Sequence, residues 1–167
     1  TVALRISNLA DSDTKAVSGT FKTADIQIQY PADVDGEDAV FICDTDERID
    51  YVVSGDISAV KIEYSTHFNT DPPTRDWGET PLDTDYPADP DTNPNTYSWT
   101  VPTATSTHVV VRVSDAAQGS TVYDESDEFT IRGGFVFSEP NEESRWIATT
   151  ENSIIWDTKG DIDWVYL

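Results

Sequence analysis

Few residues in this chain carry the types and spacings that chemistry needs. Asp33-Val34-Asp35-Gly36-Glu37-Asp38 gathers hard oxygen donors around a glycine turn, and calcium takes such carboxylates as ligands. Asp33, Asp35 and Asp38 are therefore the candidate calcium ligands, with Asp44, Asp46, Glu47 and Asp50 just beyond. The spacing is not that of an EF-hand loop, so the competing reading is an acidic, solvated turn that aids solubility. Trp77 and Tyr86 stand among polar residues and are candidates for stacking on glycans or touching a neighbouring subunit, against the plainer role of covering a core. Val2, Leu4 and Ile6 alternate along the first segment and are candidates for an edge that exchanges strands with another molecule.

Catalytic sets are missing from the pattern. His67 and His108 are 41 residues apart (108 − 67), and no Ser elbow, Cys or second His accompanies either. With 32 acidic residues, a pair of carboxylates says almost nothing about glycosidase-like chemistry. The expectation is a protein that is not an enzyme.

Net charge is −22, from 32 acidic against 10 basic residues. Such a field excludes nucleic acid and anionic membrane as partners, since both need Lys and Arg to displace counterions. It also opposes self-packing at low ionic strength, so cations are the partners that charge predicts. Hydrophobic residues make up 37% and aromatics 11%, enough for a core despite the charge. The single Cys43 excludes an internal disulfide and reads as a small buried side chain. No apolar run approaches the ~20 residues of a helical membrane span. The absence of Met leads to the expectation of a processed protein or a section of a longer one.

Stepping along the chain, the segments that would position these residues repeat. Thr1-Val2-Ala3-Leu4-Arg5-Ile6-Ser7-Asn8 reappears as His108-Val109-Val110-Val111-Arg112-Val113-Ser114-Asp115, and Gly55-Asp56-Ile57 reappears as Gly160-Asp161-Ile162. Ser18 and Phe21 answer to Ser126 and Phe129, Pro31 to Pro140, Phe41 to Trp146, Cys43 to Ala148, Ile49 to Ile154 and Tyr51 to Trp156. Offsets run only from 105 (160 − 55) to 109 (140 − 31). That period is the size of a β-sandwich domain of roughly 100 residues, not of a solenoid turn.

Short runs rich in Val, Ile, Tyr, Trp and Thr, bounded by Asp, Asn, Gly and Pro, predict strands and no helix. In the full period they fall near 39–43, 48–52, 57–65, 97–101, 109–113 and 128–131, with further strands at 144–148, 154–156 and 162–167. The Pro- and Asp-rich stretch 66–95 reads as a long loop holding at most one short edge strand around Trp77. The fold expected is all-β: Ig-like β-sandwich repeats, one complete unit flanked by partial units. Residues 1–23 supply the last two strands of an upstream repeat, 24–131 a complete repeat with its connector, and 132–167 a connector and the first three strands of the next. Both connectors, 24–31 and 132–140, carry apolar alternation and are expected to continue as strands, giving stiff junctions. Arg5 and Arg112 alternate with apolar neighbours, which places them on the outer face to pair with acids of adjoining strands.

Tyr97-Ser98-Trp99-Thr100-Val101-Pro102, then Val111-Arg112-Val113-Ser114-Asp115, then Ser126-Asp127-Glu128-Phe129-Thr130-Ile131 together resemble the Ig-like or fibronectin-III-like module of the Kre9/Knh1 type. Pro140, Trp146, Ile154-Ile155-Trp156, Gly160 and Val165 fit its opening half, while the central unit departs at Phe41, at Tyr51 and in its long Asp/Pro loop. The resemblance implies a cell-wall or secreted surface protein, extracellular or at the cell surface. The function expected is a structural repeat of a filament, surface layer or giant adhesin, whose partners are like repeats or subunits. The alternative is a carbohydrate-binding module attached to a cell-wall enzyme, with cell-surface glycans as partners.

Overall fold

The computed structural model describes residues 2–11, 13–33, 35–70, 73–77, 81–119 and 121–166. Among them every regular element is a strand: β1 Arg5–Ser7, β2 Lys15–Val17, β3 Asp25–Tyr30, β4 Val40–Ile42, β5 Asp46–Ser54, β6 Ala59–Ser65, β7 Phe68–Thr70 and β8 Pro73–Arg75. They continue with β9 Asp83–Pro87, β10 Asn95–Thr100, β11 Ser106–Asp115, β12 Tyr123–Glu125, β13 Phe129–Arg132, β14 Gly134–Glu139 and β15 Ile155–Lys159. The chain is all-β, as the alternation requires.

Two sheets build the centre. One has the order β10-β5-β3; the other runs β4-β13-β11-β6-β9, with β12 also on β11. All pairs are antiparallel except β13 with β4. Alternation in β5 sends Ile49, Tyr51 and Val53 inward, and in β11 it sends Val109, Val111 and Val113 inward; all six are buried. The two sets meet across one core, the arrangement of a β-sandwich. Trp99 lies among Phe41, Phe129 and Tyr64, with ring centroids 5.4 to 6.2 Å away. Each fully buried Ile, Val or Phe of this kind contributes about 1.5–3 kcal/mol.

The stretch 66–95 departs from expectation. It holds the hairpin β7–β8 and the edge strand β9, while Trp77 lies outside any strand. Proline is tolerated because Pro73 opens its strand and Pro87 sits on an edge, where a missing N–H breaks no ladder. At the other end, the expected strands at 144–148 and 162–167 do not form among the described residues. Their counterparts β4 and β6 owe their pairing to β13 and β11, and without such neighbours an apolar run has no ladder to join.

The terminal hairpins nevertheless copy the central registers. Arg5↔Val17, Ile6↔Ala16 and Ser7↔Lys15 correspond to Arg112↔Glu125, Val113↔Asp124 and Ser114↔Tyr123. The bridge Val2↔Phe21 corresponds to Val109↔Phe129. Leu4 N–H donates to Ser18 Oγ at 2.9 Å, as Val111 N–H donates to Ser126 Oγ at 3.0 Å. Likewise Gly134↔Lys159 through Phe137↔Trp156 correspond to Asp25↔Ser54 through Ile28↔Tyr51, each followed by a register shift in the next step. Gly55 and Gly160 both take left-handed φ, 84° and 76°. Both connectors are strands, β3 and β14.

Tyr51 is fully buried, and its hydroxyl has no hydrogen-bond partner among the described residues. Burial pushes the phenol pKa well up, so it stays neutral. Replacing Tyr51 with Phe removes a desolvated polar atom while keeping the ring, and is expected to leave stability unchanged or raise it by about 1 kcal/mol. Chemical denaturation checks this: a loss of stability would mean that the hydroxyl has a partner.

Candidate functional site

Among the described residues most of the exposed large apolar side chains lie at the two ends. Val2, Leu4, Ile6 and Phe21 are exposed, whereas their register counterparts Val109, Val111, Val113 and Phe129 are buried in the sandwich. Phe135, Trp146, Ile154 and Val165 are exposed, whereas Ile26, Phe41, Ile49 and Val60 are buried. The same positions are thus core in the centre and solvent-facing at the ends.

At the C-terminal end the exposed side chains enclose a cleft of about 370 Å³. Its walls are Phe135, Phe137, Trp156, Trp164, Val165 and Tyr166. Strands β14 and β15 supply the first three, and the turn at Gly160 returns the chain so that 164–166 line the opposite side. Trp164 and Tyr166 are 86% and 99% exposed, far beyond any core position. This cleft was missed in the sequence, although the alignment of Phe135 with Ile26 and Trp156 with Tyr51 contained the signal. At the N-terminal end, among the described residues, β1 pairs with β2 along one edge only, while its counterpart β11 is flanked on both. Of the three expected edge residues Ile6 lies in β1, Val2 forms an isolated bridge with Phe21, and Leu4 lies between them outside any strand.

The other expected site residues have local roles. Trp77 stacks on the Arg112 guanidinium, 4.0 Å from ring centroid to Cζ. Tyr86 packs edge-on against Tyr97 at 5.0 Å and donates its hydroxyl hydrogen to Thr96 O at 3.2 Å. Both rings are half-buried, with faces engaged by the protein itself. Asp35 and Gly36 take left-handed φ in the acidic turn, and Val34 lies outside the described residues. Among the described residues no three His, Cys, Asp or Glu side chains gather closely enough to hold a metal ion. Desolvation, then the carboxylates of Asp127 and Asp38, raise the pKa of Asp33, so Asp33 and Asp38 share a negative field.

Among the described residues both histidines have polar partners nearby. His67 Nδ1 lies 2.9 Å from Thr66 Oγ1, and His108 Nδ1 lies 3.1 Å from Glu128 Oε2, whose other oxygen pairs with Arg75. A groove of about 650 Å³ lies between Tyr30, Glu47, Arg48 and Trp99. There Arg48 pairs with Asp50 at 2.9 Å, and Thr100 Oγ1 donates to Asp46 at 2.9 Å.

The outer face of the sandwich is held by Glu63. Arg112, as its outward position predicts, donates to Glu63 Oε2 through Nη2 at 2.8 Å and Nε at 3.3 Å, while Lys61 Nζ lies 2.6 Å from Oε1. Burial works against the charge on Glu63, but the hydrogen bonds from Lys61 and Arg112 outweigh it and hold the pKa below the usual range. A depressed carboxylate pKa contributes stability that is present above the ordinary Glu value of about 4.3 and is lost as pH falls through the folded value. Glu63→Gln should cost about 2 kcal/mol at pH 7 and flatten the fall in stability between pH 5 and 3, measured by urea unfolding; an acid dependence like the parent's would refute the assignment. Comparison with protein-family models, curated proteins and solved structures finds no match to this chain.

Proposed function

We propose that this chain is a stretch of a tandem Ig-like array, a non-catalytic structural module of an extracellular filament, surface layer or adhesin-like protein. One observation carries the reading: both terminal hairpins keep the central registers, while the apolar side chains buried in the centre stand exposed at the ends. Residues 1–23, 24–131 and 132–167 are then the end of one repeat, a whole repeat and the start of the next. A half-sandwich cannot bury its face alone, so like repeats or subunits are the partners that fit. The −22 charge keeps such an array soluble and makes its packing depend on salt. Calcium would act at the shared field of Asp33 and Asp38.

The aromatic cleft favours one second reading, a carbohydrate-binding module, because Phe135, Phe137, Trp156, Trp164 and Tyr166 offer faces on which sugars stack. The register argument ranks it second: Phe135, Phe137, Trp156 and Val165 align with core or core-packed residues, which calls for protein cover.

Negative-stain electron microscopy of the native full-length protein should reveal extended assemblies whose straightness changes with salt or calcium. A compact, monodisperse monomer would overturn the array. A glycan-array screen is expected to be blank; binding that disappears on Trp164→Ala would move the function to carbohydrate recognition.

A further inference from the structure

Where the central sandwich gives way to the C-terminal hairpin, two turns meet. Asp44 sits in the turn after β4 with left-handed φ, 55°, and its own N–H donates to Val101 O at 3.0 Å. Its carboxylate Oδ2 accepts the Gly160 N–H at 3.1 Å, and its carbonyl accepts Lys159 Nζ at 3.0 Å. Both acceptors of one residue thus hold the same distant turn. Next to it, Cys43 N–H donates to Arg132 O at 3.0 Å and Cys43 Sγ–H to Thr103 O at 3.4 Å.

Three of the chain's eight glycines line this meeting. A Cβ on Gly160 would stand 2.6 Å from Cys43 Sγ and 2.8 Å from its Cβ, at a φ of 76° that L side chains avoid. A Cβ on Gly133 would stand 2.8 Å from Ile162 Cδ1, and one on Gly134 the same distance from Ile42 Cγ2. Side chains at these positions would force the segments apart. Cys43 has no exposed surface, and the Gly160 turn is part of what covers it.

We propose that the Gly160 turn and the Asp44 turn form a closed joint that holds the hairpin of 134–160 at a fixed angle to the 24–131 sandwich. The partner surface for a following repeat is thus the end of the sandwich at Ile42, Cys43 and Asp44, and it accepts a glycine turn flanked by a basic residue. The joint deepens the array reading and rests on it only for what the joint does in a fibre. It makes each junction stiff without a linker, since β13 passes into β14 with Gly133 alone between them.

Cys43, the chain's one thiol, reports on the joint directly. In the folded full chain, labelling by a small neutral thiol reagent should be at least ~100-fold slower than in urea, the ratio expected when access needs local opening. Gly160→Val leaves every charge unchanged and should speed labelling at least ~10-fold, while the denaturation midpoint followed by Trp fluorescence stays within the range of a surface change. Lys159→Ala should act in the same direction and more weakly; it removes a positive charge, so faster labelling cannot come from a more acidic thiol. Labelling of the folded parent at the unfolded rate would overturn the joint, as would equal protection in the parent and both variants. If Gly160→Val unfolds the chain, Lys159→Ala decides alone. Extended assemblies seen by microscopy bear on the array and leave this result independent.

Discussion

An antiparallel hairpin has one apolar face and no means of burying it by itself. Everything in this protein depends on that constraint. In the centre it is met by two sheets, with Ile26, Ile49, Tyr51 and Trp99 from one and Val60, Ile62, Val109, Val111 and Phe129 from the other closing on a common core. At both ends the same registers are present, but among the described residues no second sheet covers them, and Leu4, Ile6, Phe135 and Phe137 are exposed. The contrast comes from packing, since local backbone pairing is the same in each case.

Charge and close approach work on top of that. Two buried carboxylates hold basic partners: Glu63 serves Lys61 and Arg112 together, and Asp50 takes Arg48 and the Thr96 hydroxyl. Trp77 covers the Arg112 guanidinium, so the long Asp/Pro stretch folds back over the sandwich. At the junction, glycine replaces any side chain that would hold the turns apart, and Asp44 supplies both acceptors. The contacts there are close approach and hydrogen bonds, whereas beside Gly55 at the other end Lys22 and Asp56 form an ion pair.

Much of the fold was legible because period-2 alternation reports directly which residues share a face. The strands around 48–52 and 109–113 appear with both ends a few residues longer, that at 97–101 appears as Asn95–Thr100, and Arg112 finds its acid on the neighbouring strand. Whether a strand finds a partner was not legible: apolar runs at 144–148 and 162–167 look like β4 and β6, yet form no ladder among the described residues. Prolines hid β8 and β9, since a starting or edge position removes the penalty that proline carries in a central strand. Trp77 and Tyr86 were conspicuous as isolated aromatics, but their engagement with Arg112 and Tyr97 depends on how the loop returns.

By itself, the sequence determined the all-β class, the period between equivalent segments and which side chains alternate onto an apolar face, because these follow from local pattern. Tertiary structure alone decided which of those faces are closed, where the aromatic cleft opens and that Asp44 meets Gly160. The closed faces need a second sheet, the cleft needs 164–166 to return towards β14 and β15, and the Asp44–Gly160 contact joins residues 116 apart, 160 − 44. No local pattern encodes such a contact. The recurring apolar positions thus mark faces that can be buried, and an opposite sheet is what buries them in the centre of this chain.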